Sequence, residues 1–212
     1  MKTSRTEQTI KAYDQNAQKY AAKFTEYAIY TNKVLDFQRK HIAKGAQLLD
    51  LGCGPGQNIT TLLECDDSIR ATGIDLSEEF VRIASLNNPT ASFLQADVCS
   101  LTPNHQYDVI LASFCIVHLD HEETGKLINF IARSLSDNGR LYLSFMEGAG
   151  SGFEATSFSD EKIFFNYYQY TEIEHLLQAN GMKVLEKQTE DYLEPDGTTT
   201  TDVFVYAAKA GC

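Results

Sequence analysis

A doubly wound α/β fold, its sheet mostly parallel and finished by an antiparallel hairpin, is what this sequence predicts. Three observations carry the prediction. From residue 46 to residue 145, short aliphatic runs alternate with helix-forming segments. A glycine-rich turn, residues 52–56, follows the first of those runs directly. Two strand-like stretches near the end flank a Pro-Asp-Gly turn at 195–197. In such sheets ligands sit at the carboxyl ends of the strands.

The elements follow in order. Residues 6–24 predict a helix, with Ile10, Tyr13, Ala17, Tyr20 and Phe24 recurring at three- and four-residue steps. A second helix carries Tyr27, Tyr30, Val34, Phe37 and Ile42, and Gly45 ends it. "AQLLDLG" (46–52) is a buried strand and "QNITTLLEC" (57–65) a helix. "RATGIDLS" (70–77) is the second strand, with Ser77 as cap of the next helix and Glu78 and Glu79 in its first turn. "ASFLQAD" (91–97) is the third strand. "YDVILAS" (107–113) is the fourth, aliphatic enough to be central. Residues 121–135 form a helix faced by Leu127, Ile128, Ile131 and Leu135, and Asn138-Gly139 turns the chain into a fifth strand, "RLYLSF" (140–145). Residues 146–169 break the rhythm, rich first in glycine and serine and then in aromatics. Thr171 and Glu174 read as a capping box opening a helix that Gly181 closes, before the terminal hairpin of 183–193 and 201–208.

Composition narrows the function. The 212 residues suffice for one full core, and 43% hydrophobic with 22% charged residues is ordinary for a globular protein. The net charge of −11 and the scattered lysines and arginines disfavour nucleic acid as a partner. No apolar run reaches the roughly 20 residues a bilayer needs, and the start lacks a secretory or transit pattern. No membrane association is expected. The five cysteines are odd in number and without CxxC spacing, so the internal four are expected as buried thiols in a reducing, cytoplasmic setting, with no metal site.

The turn reads "LLDLGCGPGQ" (48–57). It lacks the third-glycine spacing of a dinucleotide fingerprint and the lysine of a phosphate loop. Asp50, just ahead of the glycines, would repel a pyrophosphate and favour a cationic ligand. This pattern, acid-x-G-x-G-x-G, resembles the first motif of class I S-adenosylmethionine-dependent methyltransferases, of the small-molecule, bacterial-like type. The resemblance extends over most of the chain: the acid closing the second strand, the "QAD" after the third, the "YDVI" strand, and an N-terminal "YDQNAQKYAAKF" like the helix preceding many such cores.

The resemblance implies a Rossmann-like seven-stranded sheet of order 3-2-1-4-5-7-6 with the last strand antiparallel, helices on both faces and an N-terminal helical lid. It implies one methyltransferase domain, 1–212: lid 1–45, cofactor-binding core 46–145, acceptor-side insertion 146–170, and helix with C-terminal β-hairpin 171–212. It also implies S-adenosylmethionine (SAM) as cofactor, S-adenosylhomocysteine as product, and a small or medium-sized acceptor methylated by in-line displacement. Gly52, Cys53, Gly54 and Gly56 would lie against the cofactor, glycines because a Cβ would collide with it. Asp50 would approach the amino-acid end of SAM and Asp75 the ribose hydroxyls. Leu76 would pack on adenine, Asp97 with the backbone of Ala96 and Val98 would address its edge, and Ser113 would face the reacting region.

His118, just past the fourth strand, is the candidate general base; Asp120 beside it is also a natural helix cap. Tyr13 and Tyr20, seven residues apart, are expected either in the packing of the first helix or as lid residues touching SAM (Tyr20) or acceptor (Tyr13). In the insertion, Phe164, Phe165, Tyr167, Tyr168 and Tyr170 either hold an apolar or cationic acceptor or fill the sheet's flank, with Phe165 and Tyr168 foremost. The amine- and amide-directed motif [DN]-P-P-[YFW] is absent after the fourth strand. Cys115 follows Phe114 and not proline, so it reads as a packed thiol and not a nucleophile. Two alternatives stand beside the methyltransferase: an NAD(P)-dependent oxidoreductase on a similar fold, and a SAM-binding module without catalysis. A monomer or a homodimer fits equally.

Overall fold

The computed structural model describes residues 4–25, 28–193, 197 and 199–210. Tyr27, the side chain of Phe24, Pro195-Asp196 of the terminal turn, and Cys212 lie outside the described residues. Helices α1 (Ser4–Thr25) and α2 (Ala28–His41) precede β1 (Gln47–Leu51), α3 (Gln57–Cys65), β2 (Arg70–Asp75), α4 (Glu78–Asn87), β3 (Ser92–Gln95) and β4 (Tyr107–Ser113). Then come α5 (His121–Ser134), β5 (Leu135–Glu147), β6 (Ser151–Thr156), β7 (Ser159–Asn166), α6 (Tyr170–Ala179), β8 (Met182–Leu193) and β9 (Thr199–Lys209). Short 3-10 turns occupy Val98–Ser100 and Ile116–His118.

The main sheet has seven strands in the order β3-β2-β1-β4-β5-β9-β8, with β9 antiparallel to both neighbours. The insertion adds a separate two-stranded sheet, β6-β7, so the terminal strands are eighth and ninth in the chain. Discounting that pair, the order is the expected 3-2-1-4-5-7-6. Both faces are covered, which is why the central strands read as unbroken aliphatic runs. Leu48, Val109, Leu111, Tyr142, Phe204 and Tyr206 pack with Val34 and Phe37 of α2 and Ile59 and Leu62 of α3. Leu49, Leu51, Ile110, Leu141, Leu143 and Val205 pack on the other face with α5 and α6. Among the described residues, no helix is long and apolar enough to cross a membrane.

Several local expectations needed correction. Ser77 does cap α4, its Oγ accepting the Phe80 N–H. Thr171, however, lies inside α6, whose N-cap position is Gln169 without a side-chain cap. The chain is already committed before Thr171. The Tyr168 N–H donates to the Met146 carbonyl, and Glu147 on β5 accepts the Tyr170 N–H at 3.1 Å. A carboxylate from another element therefore satisfies the helix start, which local spacing cannot reveal. Glu174 instead accepts from the Tyr170 hydroxyl. Of the four internal cysteines, Cys53 and Cys115 are buried, Cys99 is half-buried and Cys65 is exposed. Residues 146–170 are no open loop: β6 and β7 form a hairpin, and Tyr168 is a core residue with no exposure.

The α6 start yields a test. Replacing Glu147 with Ala is expected to cost about 1 kcal/mol, the usual value of a lost helix cap. Thr171→Ala should stay within about 0.5 kcal/mol. Urea unfolding of both variants checks the order.

Candidate active site

The carboxyl ends of β1, β2 and β4 lie side by side in the sheet. Gly52, Gly54 and Gly56 all have positive φ, at 66°, 52° and 86°, a region L side chains enter only under strain. Their reasons differ. A Cβ on Gly52 would lie 3.0 Å from the Cys115 sulfur, and one on Gly56 would lie 2.9 Å from Ala84 Cβ in α4. A Cβ on Gly54 would meet nothing within 4 Å. Gly54 therefore has open space where a side chain would stand. Gly52 and Gly56 also make room for the protein's own packing.

Asp75, at the end of β2, locks this loop. Its Oδ2 accepts the Gly54 N–H at 2.8 Å and its Oδ1 the Ser77 N–H at 2.9 Å. The N–H groups of Gly52 and Cys53 both donate to the Ile74 carbonyl. Burial pushes the Asp75 carboxyl up while those N–H bonds pull it down.

Asp50 is the outlying feature. It has no exposure, and neither carboxylate oxygen has a hydrogen-bond partner. Burial first, then the charge of Asp75, push it up to about 8; the nearby Asn58 amide offsets this only in part. A buried carboxylate left so is costly. It suits a ligand bringing positive charge or N–H donors, next to the bare backbone of Gly54.

Other expected cofactor residues hold mixed positions. Leu76 and Val98 are half-buried beside the cleft's β2–β3 side, and the Ala96 N–H is committed to the Asp75 carbonyl at 2.9 Å. Asp97 caps its own 3-10 turn through the Cys99 N–H at 2.9 Å. Ser113 faces Ser144 of β5, the two hydroxyls 3.3 Å apart. Cys53 is buried, and burial raises its thiol well above the ordinary value, as it does for Cys115.

Helix α1 packs against α4 and β7 beside this region. Helix α1 bends at Asn16, whose amide donates to the Ala12 carbonyl and to Ser159 of β7. On either side of the bend Tyr13 and Tyr20 meet edge to face at 5.5 Å. Both pack on Phe80 of α4 and on Phe158 at the hairpin tip. Burial, and the Asp75 charge below, keep both hydroxyls protonated.

His118 lies under this cluster, half-buried. Its Nδ1 is 2.9 Å from the Phe164 carbonyl and its Nε2 is 3.0 Å from the Tyr13 hydroxyl. A carbonyl only accepts, so Nδ1 carries the proton and Nε2 accepts from Tyr13. Burial lowers the imidazole to about 4, so it is neutral at neutral pH. Asp120 caps α5 in a full capping box with Glu123, so only that half of "HLDHEE" starts the helix. Phe165 stands 5.2 Å from the His118 ring. Tyr168 does not reach the cleft: its hydroxyl is used on the Leu119 carbonyl and Thr124.

Sequence reasoning missed three residues. Phe114, just after β4, holds φ 49° with its N–H bonded to Ser144 Oγ at 3.0 Å. Strain of this kind costs about 1–2 kcal/mol and gathers at functional sites. Asp14 of α1 accepts from the Ser77 hydroxyl at 2.5 Å and ties the lid to α4. Asn58 is the polar neighbour of Asp50. None has a spacing signal, since each acts across elements distant in sequence.

Residues 48–139 match the model of a family described as methyltransferase domain. A trans-aconitate 2-methyltransferase from Methylobacterium nodulans is 34% identical over 103 residues, covering 49% of this chain and 39% of that protein. One from Enterobacter sp. is 40% identical over 68 residues, covering 32% and 27%. The chain thus matches well under half the length of these relatives. A Burkholderia thailandensis 1,6-didemethyltoxoflavin-N1-methyltransferase structure superposes with TM-score 0.73 at 19% identity, over 99% of this chain and 92% of that one. A S-adenosylmethionine-dependent methyltransferase from Clostridium acetobutylicum gives 0.70 at 14%, over 92% and 99%.

The glycine geometry predicts unequal costs. Gly54→Ala should lose about 1–2 kcal/mol, the strain of the left-handed backbone alone. Gly56→Ala adds a clash with α4 and should lose about 3 kcal/mol or more. Thermal unfolding without ligand measures both.

Proposed function

We propose, for a chain whose residues 48–139 match a methyltransferase-domain model and whose fold is that of SAM-dependent methyltransferase structures, that it moves a methyl group from SAM to a small-molecule acceptor. The observation that carries the reading is the buried Asp50 carboxylate with two unpartnered oxygens beside the bare Gly54 backbone. That donor set fits a ligand with an ammonium and a sulfonium. It does not fit the pyrophosphate of a dinucleotide, which is why the oxidoreductase alternative falls behind.

In this reading Asp50 holds the amino-acid end of SAM and Asp75 the ribose, using lone pairs left after its two backbone bonds. Leu76, Ala96, Asp97 and Val98 line the adenine side, and Ser113 the reacting side. SAM supplies an electrophilic methyl on a sulfonium that leaves as a neutral thioether. The lid, α1 with Tyr13 and Tyr20, excludes water and aligns the acceptor. His118 does not itself take the acceptor's proton here. It positions Tyr13 through the Nε2 bond, with Phe165 against its ring. The acceptors in the relatives' names differ in kind, a tricarboxylate in one group and a planar heterocycle in another.

Titration calorimetry tests the proposal: SAM and S-adenosylhomocysteine are expected to bind and NAD is not. Asp50→Asn should weaken SAM binding by about tenfold or more, the loss of a charge-assisted contact. The pH dependence has a definite sign. With its carboxyl near 8, Asp50 is mostly protonated at pH 7, while the cationic ligand prefers the carboxylate. Binding should therefore release protons at pH 7 and tighten as pH rises toward 8. Asp50→Asn should abolish that component, leaving only the ligand's own titration. Unchanged SAM affinity in the Asn variant would remove Asp50 from the site.

A further inference from the structure

Ser77, at the head of α4, is bonded to a carboxylate on each side. Its N–H donates to Asp75 Oδ1 of β2 at 2.9 Å, and its hydroxyl donates to Asp14 Oδ1 of α1 at 2.5 Å. Asp14 also accepts the Glu79 N–H at 3.3 Å. One serine therefore holds a carboxylate of the sheet and a carboxylate of the N-terminal helix close together.

Two forces on Asp14 oppose each other. The first N–H groups of α4 carry the positive end of its dipole and attract the carboxylate. Asp75 repels it: burial chiefly, and the Asp14 charge among the lesser causes, push the Asp75 carboxyl up. Glu78 and Glu79 in the same first turn add to that repulsion, Glu79 with Arg82 as its partner. Beyond Asp75 stands Asp50, neither of its oxygens bonded. Three carboxylates thus run from β1 through β2 to α1, each within electrostatic reach of the next.

Asp50, Asp75 and Ser77 are all buried. A ligand as large as SAM reaches the two acids only when an element packed over them moves. Helix α1 is the element tied to Ser77, and its Tyr13 and Tyr20 both lie within electrostatic reach of Asp75.

Resting on the methyltransferase reading, we propose that Asp14 makes the docking of α1 sensitive to the charge of the bound sulfur compound, so that α1 is held over the sulfonium of SAM and loosened over the neutral thioether of S-adenosylhomocysteine. A cation beside Asp50 and Asp75 offsets the repulsion on Asp14, and the α4 N–H groups then keep it. In the transfer, a lone pair of the acceptor forms the new bond to CH3, and the S–CH3 pair stays on sulfur. The positive charge passes to the methylated acceptor, away from the donor. The repulsion on Asp14 returns, and α1 loosens when product has to leave.

Amide hydrogen exchange on the full chain tests this, read in α1 relative to β9, with SAM, S-adenosylhomocysteine or sinefungin at saturation. Sinefungin carries an ammonium in place of the S–CH3 group, which separates the charge from the methyl. SAM and sinefungin are expected to slow α1 exchange about threefold or more beyond S-adenosylhomocysteine, the order of one unit charge acting across roughly 10 Å. Asp14→Asn keeps an acceptor oxygen for Ser77 and loses the charge, so the three ligands should then protect α1 equally; Asp14→Ser should repeat that result. Equal protection by all three in the unsubstituted chain, sinefungin behaving like S-adenosylhomocysteine, or discrimination that survives in both variants overturns the proposal and leaves the methyltransferase reading intact. If calorimetry shows that neither SAM nor S-adenosylhomocysteine binds, that reading falls instead.

Discussion

A carboxylate without a partner sits at the carboxyl end of the first strand, and much of the cleft is arranged around it. Asp50 is enclosed by β2 and β4, with neither oxygen bonded. In water this group is stable and charged; in the sheet burial disfavours its charge. The loop that follows is firmly held. Asp75 fixes Gly54 through its N–H, and the neighbouring glycines let Cys115 and α4 press close from either side. The two acids differ: Asp75 holds the loop's shape through its backbone bonds, and Asp50 has neither oxygen bonded.

Around this floor the molecule closes by tying distant segments together. Asp14 joins the lid to the start of α4 and Asn16 joins it to β7, while Thr9 accepts the Phe164 N–H. Arg5 holds the head of the lid on the capping residues of α5. The hairpin and α1 thus form a joint cover whose underside is aromatic. His118 reports on that cover more than on proton transfer. Both of its nitrogens are used, one on the hairpin and one on the lid, so its tautomer depends on the two being in place.

Much of the architecture was legible from residue pattern. The aliphatic strands 48–51 and 107–113 announce burial on two faces, Ser77 announces a cap, and the resemblance of "LLDLGCGPGQ" orders the sheet correctly. The hairpin within 151–166 was not read as strands, because β6 is short and glycine-bearing, β7 does not alternate, and α1 bonds to β7 from far away in the chain. The α6 start was misread, since its cap comes from Glu147 on another strand.

Sequence alone determined what is local and periodic: strands, helices, the acid and glycines of the turn, and the presence of aromatic and titratable groups in the insertion. Tertiary structure decided what each group does. It gave the three glycines of one motif different surroundings, put Tyr168 and Phe158 into packed clusters, and bonded both ring nitrogens of His118. The physical reason is that backbone preference and hydrophobic period act over a few residues. Burial, hydrogen-bond commitment and proton position are set instead by partners that stand dozens of residues away in the chain.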